Sequence, residues 1–127
     1  MAASSFDWSH FLSLATLLAS NADEASQRNS ISRAYYCVYH KASERAILMG
    51  YVDQKSHWKL WDLYDRNKMD RNCRKLSFLG SRMQKERKEA DYEATTPRLS
   101  ERATVQLAHA NKFVAILSTL GPGLPKP

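Results

Sequence analysis

The sequence predicts an all-α, up-and-down bundle of four to five helices. Three observations carry this reading. The 127 residues give room for one domain and not for two. Apolar residues recur at helical spacing through five successive segments. The four Gly and four Pro are too few for a turn-rich all-β chain, and more than half of them fall in the last seven residues. The domain is therefore placed at residues 1–120. Residues 121–127, Gly-Pro-Gly-Leu-Pro-Lys-Pro, form a flexible tail, because that run cannot continue a helix.

The first helix is expected from about Asp7 to Ser20, with Asp7 as its N-cap and Trp8, Phe11, Leu12, Ala15, Leu18 and Ala19 on one stripe. The second runs from about Asp23 to Met49 and stops at Gly50, a residue suited to a helix C-terminus. Ser56 is placed as the cap of a third segment carrying Trp58, Leu60 and Trp61, with both tryptophans read as core. Arg66 to Asp70 reads as a break. A fourth helix covers roughly Arg71 to Ala90, with Cys73, Leu76, Leu79, Met83 and Ala90 inward. Gly80 in its interior costs stability unless a neighbour must come close there. After a connection from Asp91 to Thr96, Thr96-Pro97 is the expected start of the last helix, with Thr as cap and Pro at the first helical position. Leu99, Ala103, Leu107, Ala110, Val114 and Leu117 then mark its buried side, to about Leu120.

Composition narrows the function classes. No apolar run approaches the roughly 20 residues that span a bilayer, and Met1 to Asp7 holds no basic residue, so no secretory signal is read there. Cys37 and Cys73 are expected as free thiols of a cytoplasmic protein, since two cysteines make no disulfide framework. His10 and His109 have no acidic or cysteine companion at ligand spacing, so neither metal nor cofactor is expected. The chain carries a net charge of +6, unevenly placed: eleven Lys/Arg and four acids lie between Lys55 and Lys88, a local excess of seven. Such a block suits a phosphate-rich partner, or is a solvated helical face with surplus cations.

The second helix is the most informative element. At about 100° per residue, Ile31, Ala34, Tyr35, Val38, Ala42, Arg45 and Met49 share one stripe, an ordinary core face with Arg45 at its edge. The opposite side carries Arg33, Tyr36, Cys37, His40 and Ile47, flanked by Asn29 and Glu44. Tyr36, Cys37 and Ile47 suit open water poorly, so that side is expected to be covered too. A second copy of the chain is the expected cover, as a two-fold homodimer; the first or last helix of the same chain is the alternative. Arg33 and His40 lie seven residues apart, within about 20° of one direction and about 10.5 Å along the axis. Their side chains can converge on one phosphate. An imidazole serves as general base or acid, and a guanidinium stabilises charge on a phosphorane-like transition state. Glu44, one turn beyond His40, can orient the ring.

The run Ser32-Arg33-Ala34-Tyr35-Tyr36-Cys37-Val38-Tyr39-His40-Lys41-Ala42 resembles the Ser-Arg-x-Tyr-Tyr-x-x-Phe-His-x-Ala segment of small bacterial HEPN proteins. The resemblance continues at Ser56-His57 and returns in Glu86-Arg87-Lys88-Glu89-Ala90-Asp91-Tyr92. It implies a HEPN bundle that dimerises, with an Arg-x(4–6)-His motif lining the dimer cleft and, in active members, cleaving RNA without a metal. Carried onto this chain, the motif residues are Arg33 and His40; Asn29, Tyr36 and Glu44, on the same side of the helix, are expected as substrate contacts. The implied roles are a toxin or phage-defence effector acting on RNA, with a minimal nucleotidyltransferase as possible antitoxin. Two positions depart from the pattern. Ala34 stands where nucleases of the superfamily often place a polar residue, which favours the alternative of a non-catalytic module that binds nucleotide or RNA or docks the nucleotidyltransferase. Ala42 stands where some toxins carry a tyrosine modified with AMP by the partner. Elsewhere, Arg87 and Asp91 read as a helix-terminal salt bridge, and His57 as a first-turn residue or a substrate contact.

Overall fold

A computed structural model describes residues 6–67 and 70–121, and these form an all-α bundle. Its helices are α1 (Ser9–Ala19), α2 (Glu24–Leu48), α3 (His57–Asp65), α4 (Arg71–Tyr92) and α5 (Leu99–Thr119). The starts of α1, α2 and α4 follow from carboxylates. Asp7 accepts the Ser9 N–H at 2.9 Å, Asp23 that of Ser26 at 3.0 Å, and Asp70 those of Asn72 and Cys73 at 2.8 and 3.2 Å. Beyond α2, Gly50 takes a φ of 97°, a left-handed value that a side chain would disfavour.

α2 is the central element and touches every other helix. The core gathers around it: Tyr35, Trp61, Tyr64, Phe113, Leu60, Leu76 and Met83 are all within 2% of full burial. Polar side chains anchor neighbouring backbones. The Ser30 hydroxyl donates to the Ala15 carbonyl at 2.7 Å, and Tyr64 to that of Ala42 at 2.7 Å. Gln106, 1% exposed, donates to the carbonyls of Ile31 and Met83. Two arginines of α2 serve the C-terminal ends of other helices, where orphan carbonyls and the negative end of the helix dipole attract a cation. Arg28 donates to the carbonyls of Ala90, Glu93 and Ala94, and Arg45 to those of Leu120 and Gly121. That explains a charged residue at the edge of the core stripe.

The structure corrects several sequence expectations. Thr96-Pro97 does not start the last helix. Thr96 is buried with its hydroxyl unpartnered, and Arg98 takes a φ of 55° before α5 begins at Leu99. The centre of the buried face of α5 is Ala103, Gln106, Ala110 and Phe113, so Leu107, Val114 and Leu117 sit at its margins. α4 runs two residues past Ala90, its end held by Arg28. Ser56 precedes α3 but gives no side-chain cap. Trp61 is core, whereas Trp58 is 63% exposed beneath Lys59. The tail expected at 121–127 lies outside the described residues except for Gly121. Among the described residues, no helix is long and apolar enough to cross a membrane, and Cys37 and Cys73 are free and buried.

Candidate functional site

The second face of α2 is covered, and the cover is α1. Cys37 is fully buried there, which pushes its thiol up to about 11. Trp8 stacks on His40 with ring centroids 3.6 Å apart and planes 11° from parallel. The Arg33 guanidinium lies over the Phe11 ring at 5.0 Å. Lys41 pairs with Asp7 at 3.8 Å, tying the start of α1 to this face. Burial of Cys37 therefore needs no second copy of the chain, and Tyr36 is only half-buried. Ile47 and Leu48, beyond the reach of α1, are left 48% and 82% exposed.

Arg33 and His40 occupy separate contacts along α1. Trp8 and Phe11, 5.1 Å apart edge to face, stand under His40 and Arg33 respectively. Each functional side chain is thus half-buried and held by an aromatic plane. Among the described residues, neither makes a hydrogen bond or an ion pair, so the donors of Arg33 and both nitrogens of His40 remain available. Asn29 is exposed one turn before Arg33, and Glu44 is exposed one turn after His40. Glu44 forms no hydrogen bond to the His40 ring among the described residues. The carboxylate whose charge reaches that ring is Asp53, itself bonded to the Ser43 hydroxyl at 3.4 Å. Tyr39, His40, Ser43, Glu44, Asp53 and Lys55 border an open cleft of about 430 Å³.

Tyr36 is the hub of a larger cluster. The rings of His40 and His57 each lie 6.1 Å from it, and the Arg87 guanidinium lies 5.4 Å from it. Arg87 is only 7% exposed, sits 5.7 Å from the Tyr35 ring, and pairs with Asp91 at 3.5 Å. Asp91 in turn accepts the Ser32 hydroxyl at 3.2 Å. The expected helix-terminal salt bridge is present, but it faces inward, and the Arg87 Nε has no partner. His57 joins from α3. It stacks on Tyr39 at 4.1 Å, and its Nδ1 is 2.6 Å from the Tyr35 hydroxyl. Burial keeps the Tyr35 phenol protonated far above its ordinary range. Its O–H has no other acceptor among the described residues, so it donates to Nδ1. The neutral ring then carries its proton on the opposite nitrogen, Nε2.

Burial depresses both imidazoles below their ordinary value of 6.5. For His57 the nearby Arg87 and Lys88 add to that effect, while for His40 Asp53 opposes it. Both rings are therefore neutral at pH 7. His40 is equipped to accept a proton and His57 to donate a hydrogen bond through Nε2–H.

The sequence placed Arg33, His40 and Tyr36 on one side of one helix, and the structure keeps them there. What it missed is that α3 and α4 deliver His57 and Arg87 to the same ring. Three segments far apart in sequence, around Tyr35-Tyr36, His57 and Arg87-Asp91, meet in space at this cluster. No protein-family model matches the chain, and neither a curated protein nor a solved structure matches it.

Proposed function

We propose that this protein is a metal-independent endoribonuclease, acting in the cytoplasm as a toxin or phage-defence effector. The observation that carries the proposal is the pairing of two neutral imidazoles, His40 and His57, about the Tyr36 ring beside an open cleft. In this reading His40 takes the proton from a ribose 2′-hydroxyl, whose oxygen attacks the adjacent phosphorus and displaces the 5′-oxygen of the next nucleotide, which leaves as a hydroxyl with a proton from solvent water. Arg33 and the His57 Nε2–H stabilise the charge that builds on the phosphate. Tyr36, Asn29 and Glu44 border the strand. The homodimer belongs to the same proposal, with the uncovered Ile47 and Leu48 as its apolar contact. A nucleotidyltransferase antitoxin would be the partner that holds the enzyme in check.

The test is RNA cleavage by the purified chain in excess chelator. It should leave 2′,3′-cyclic phosphate ends, and activity should fall away only below pH 6.5, as His40 becomes protonated. His40→Ala should lose about 10²- to 10⁴-fold, and Arg33→Ala about 10²- to 10³-fold. Loss of cleavage in chelator would overturn the chemistry.

A second reading rests on Ala34. It is fully buried in the core, so the position after Arg33 presents no polar group to the cleft. A binding module that grips nucleotide or RNA through Arg33, without cutting it, would bind in the same assay and yield no product.

A further inference from the structure

A second groove, of about 510 Å³, lies away from the α2 cleft, between α4 and α5. α4 contributes Arg71, Arg74, Lys75 and Phe78 to it, and α5 contributes His109 and Lys112. The four α4 residues recur at intervals of three and four, and so share one side of the helix. No carboxylate lines the groove, and among the described residues none of its four Lys/Arg forms an ion pair. Phe78 stands among these cations 65% exposed, although Leu76, Leu79 and Met83 of the same helix are buried. The helix thus has inward positions and turns this aromatic ring outward. Arg82, one turn further along α4, continues the row, giving a basic stripe of about 16 Å from Arg71.

Four unpaired cations around one open aromatic ring match a particular ligand chemistry. Phosphates spaced along a backbone satisfy the charges, and an unpaired base satisfies the ring. A duplex offers the first and withholds the second, because its bases are already stacked. An acidic polypeptide offers charge with no face for the ring. We propose that this groove is a binding track for single-stranded nucleic acid, with Arg71, Arg74, Lys75 and Lys112 on the phosphates and Phe78 stacked on a base. The assignment rests on the groove's own residues and holds whether or not the α2 cleft cuts.

The experiment uses the full chain and a short, labelled 2′-O-methyl oligonucleotide, whose blocked 2′-oxygen prevents cleavage during the measurement. Binding is read by fluorescence anisotropy across a salt series. Four phosphate contacts give a slope of about 3 in log Kd against log salt. Replacing Arg71, Arg74, Lys75 and Lys112 together with Gln should remove most of that slope. Phe78→Ala should weaken binding roughly ten-fold, while Phe78→Trp preserves it. All five side chains are exposed, and an unchanged urea midpoint shows that each variant remains folded. A matched duplex should bind more weakly than the single strand. The proposal is overturned if the four-Gln variant keeps the salt slope, if Phe78→Ala binds as the wild type does, or if the duplex or polyglutamate competes as well as the single strand.

Discussion

Replacing Gly80 with alanine sets two opposing effects against each other. In an exposed helix interior the change stabilises by about 1 kcal/mol, because alanine has less backbone freedom to lose on folding. In α4 the added Cβ would stand 2.5 Å from Cε3 and Cζ3 of Trp61 and 2.6 Å from Cδ2. Carbon atoms in good contact lie about 3.5–4.0 Å apart, so the ring must retreat by about 1 Å. It has nowhere to go. Trp61 is 2% exposed and meets Tyr35, Tyr39, Tyr64 and Phe113 on its other sides. The Ser77 hydroxyl, on α4 itself, holds the Trp61 carbonyl at 2.8 Å, so α3 cannot slide off as a unit.

Overpacking of this kind costs about 1–3 kcal/mol, and a rigid ring places it near the upper end. The net expectation is a loss of about 2 kcal/mol, read as a lower urea midpoint at unchanged m-value and a Tm lower by about 5–10 °C. A double-mutant cycle isolates the cause. Phenylalanine at position 61 lacks the fused ring that blocks the methyl. Trp61→Phe should therefore cost less in the Gly80→Ala background than alone, with a coupling of about 1 kcal/mol or more. A neutral or stabilising Gly80→Ala, or strict additivity in the cycle, would refute the close approach of α3 and α4.

Two further outcomes follow from the titrating groups. His40, His57 and His109 are all depressed below 6.5, chiefly by burial, so below that pH the unfolded chain binds more protons than the folded one. The stability they contribute is present above pH 6.5 and is lost as pH falls through their folded values. Tm should fall on acidification from pH 7.5, and His40→Gln with His57→Gln should flatten that dependence; an equally steep profile in the double variant would contradict it. Tyr35→Phe removes the hydroxyl that donates to His57 Nδ1 and so frees the nitrogen that must accept the next proton. The His57 titration followed by NMR should move upward; a midpoint that moves downward would mean the bond runs the other way, with Nδ1–H donating to the Tyr35 oxygen.

Much of the fold was legible because its signals are local. Asp23 and Gly50 bracket α2, and the stripes of α1 and α4 point inward as their spacing predicts. Errors arose where a local signal competed with packing. Thr96-Pro97 is a good helix start in isolation, but burying Thr96 moves the start to Leu99. Trp58 and Trp61 sit three residues apart and look equivalent, and only the approach of α4 at Gly80 decides which one is core. The roles of Arg28 and Arg45 are not legible locally, because the carbonyls they hold are 62 to 76 residues away. The same distance in sequence hid the gathering of His57 and Arg87 at Tyr36. The sequence correctly marked Cys37 on the second face of α2 as buried, but Ile47, expected under the same cover, is 48% exposed. The sequence could not tell α1 from a second copy, since either presents apolar side chains.

The polar groups of α2 separate into two sets, and the division bears on where a ligand belongs. Gln27 donates to the carbonyls of Ala19 and Asn21, Ser30 to that of Ala15, and Ser32 and Ser43 to the carboxylates of Asp91 and Asp53. Arg28 and Arg45 hold helix ends. Each of these side chains makes hydrogen bonds inside the fold, as burial demands, although Gln27 Oε1 and Arg45 Nε keep no partner among the described residues. Arg33, Tyr36 and His40 do not. They are half-buried, fixed by the planes of Phe11, Trp8 and the neighbouring aromatics, and without hydrogen-bond partners among the described residues. Aromatic contacts hold a guanidinium or an imidazole in place while leaving its in-plane nitrogens unused. The packing of α1 on α2 thus orients these three groups without satisfying them, and their free hydrogen-bonding positions are where a phosphate would gain most.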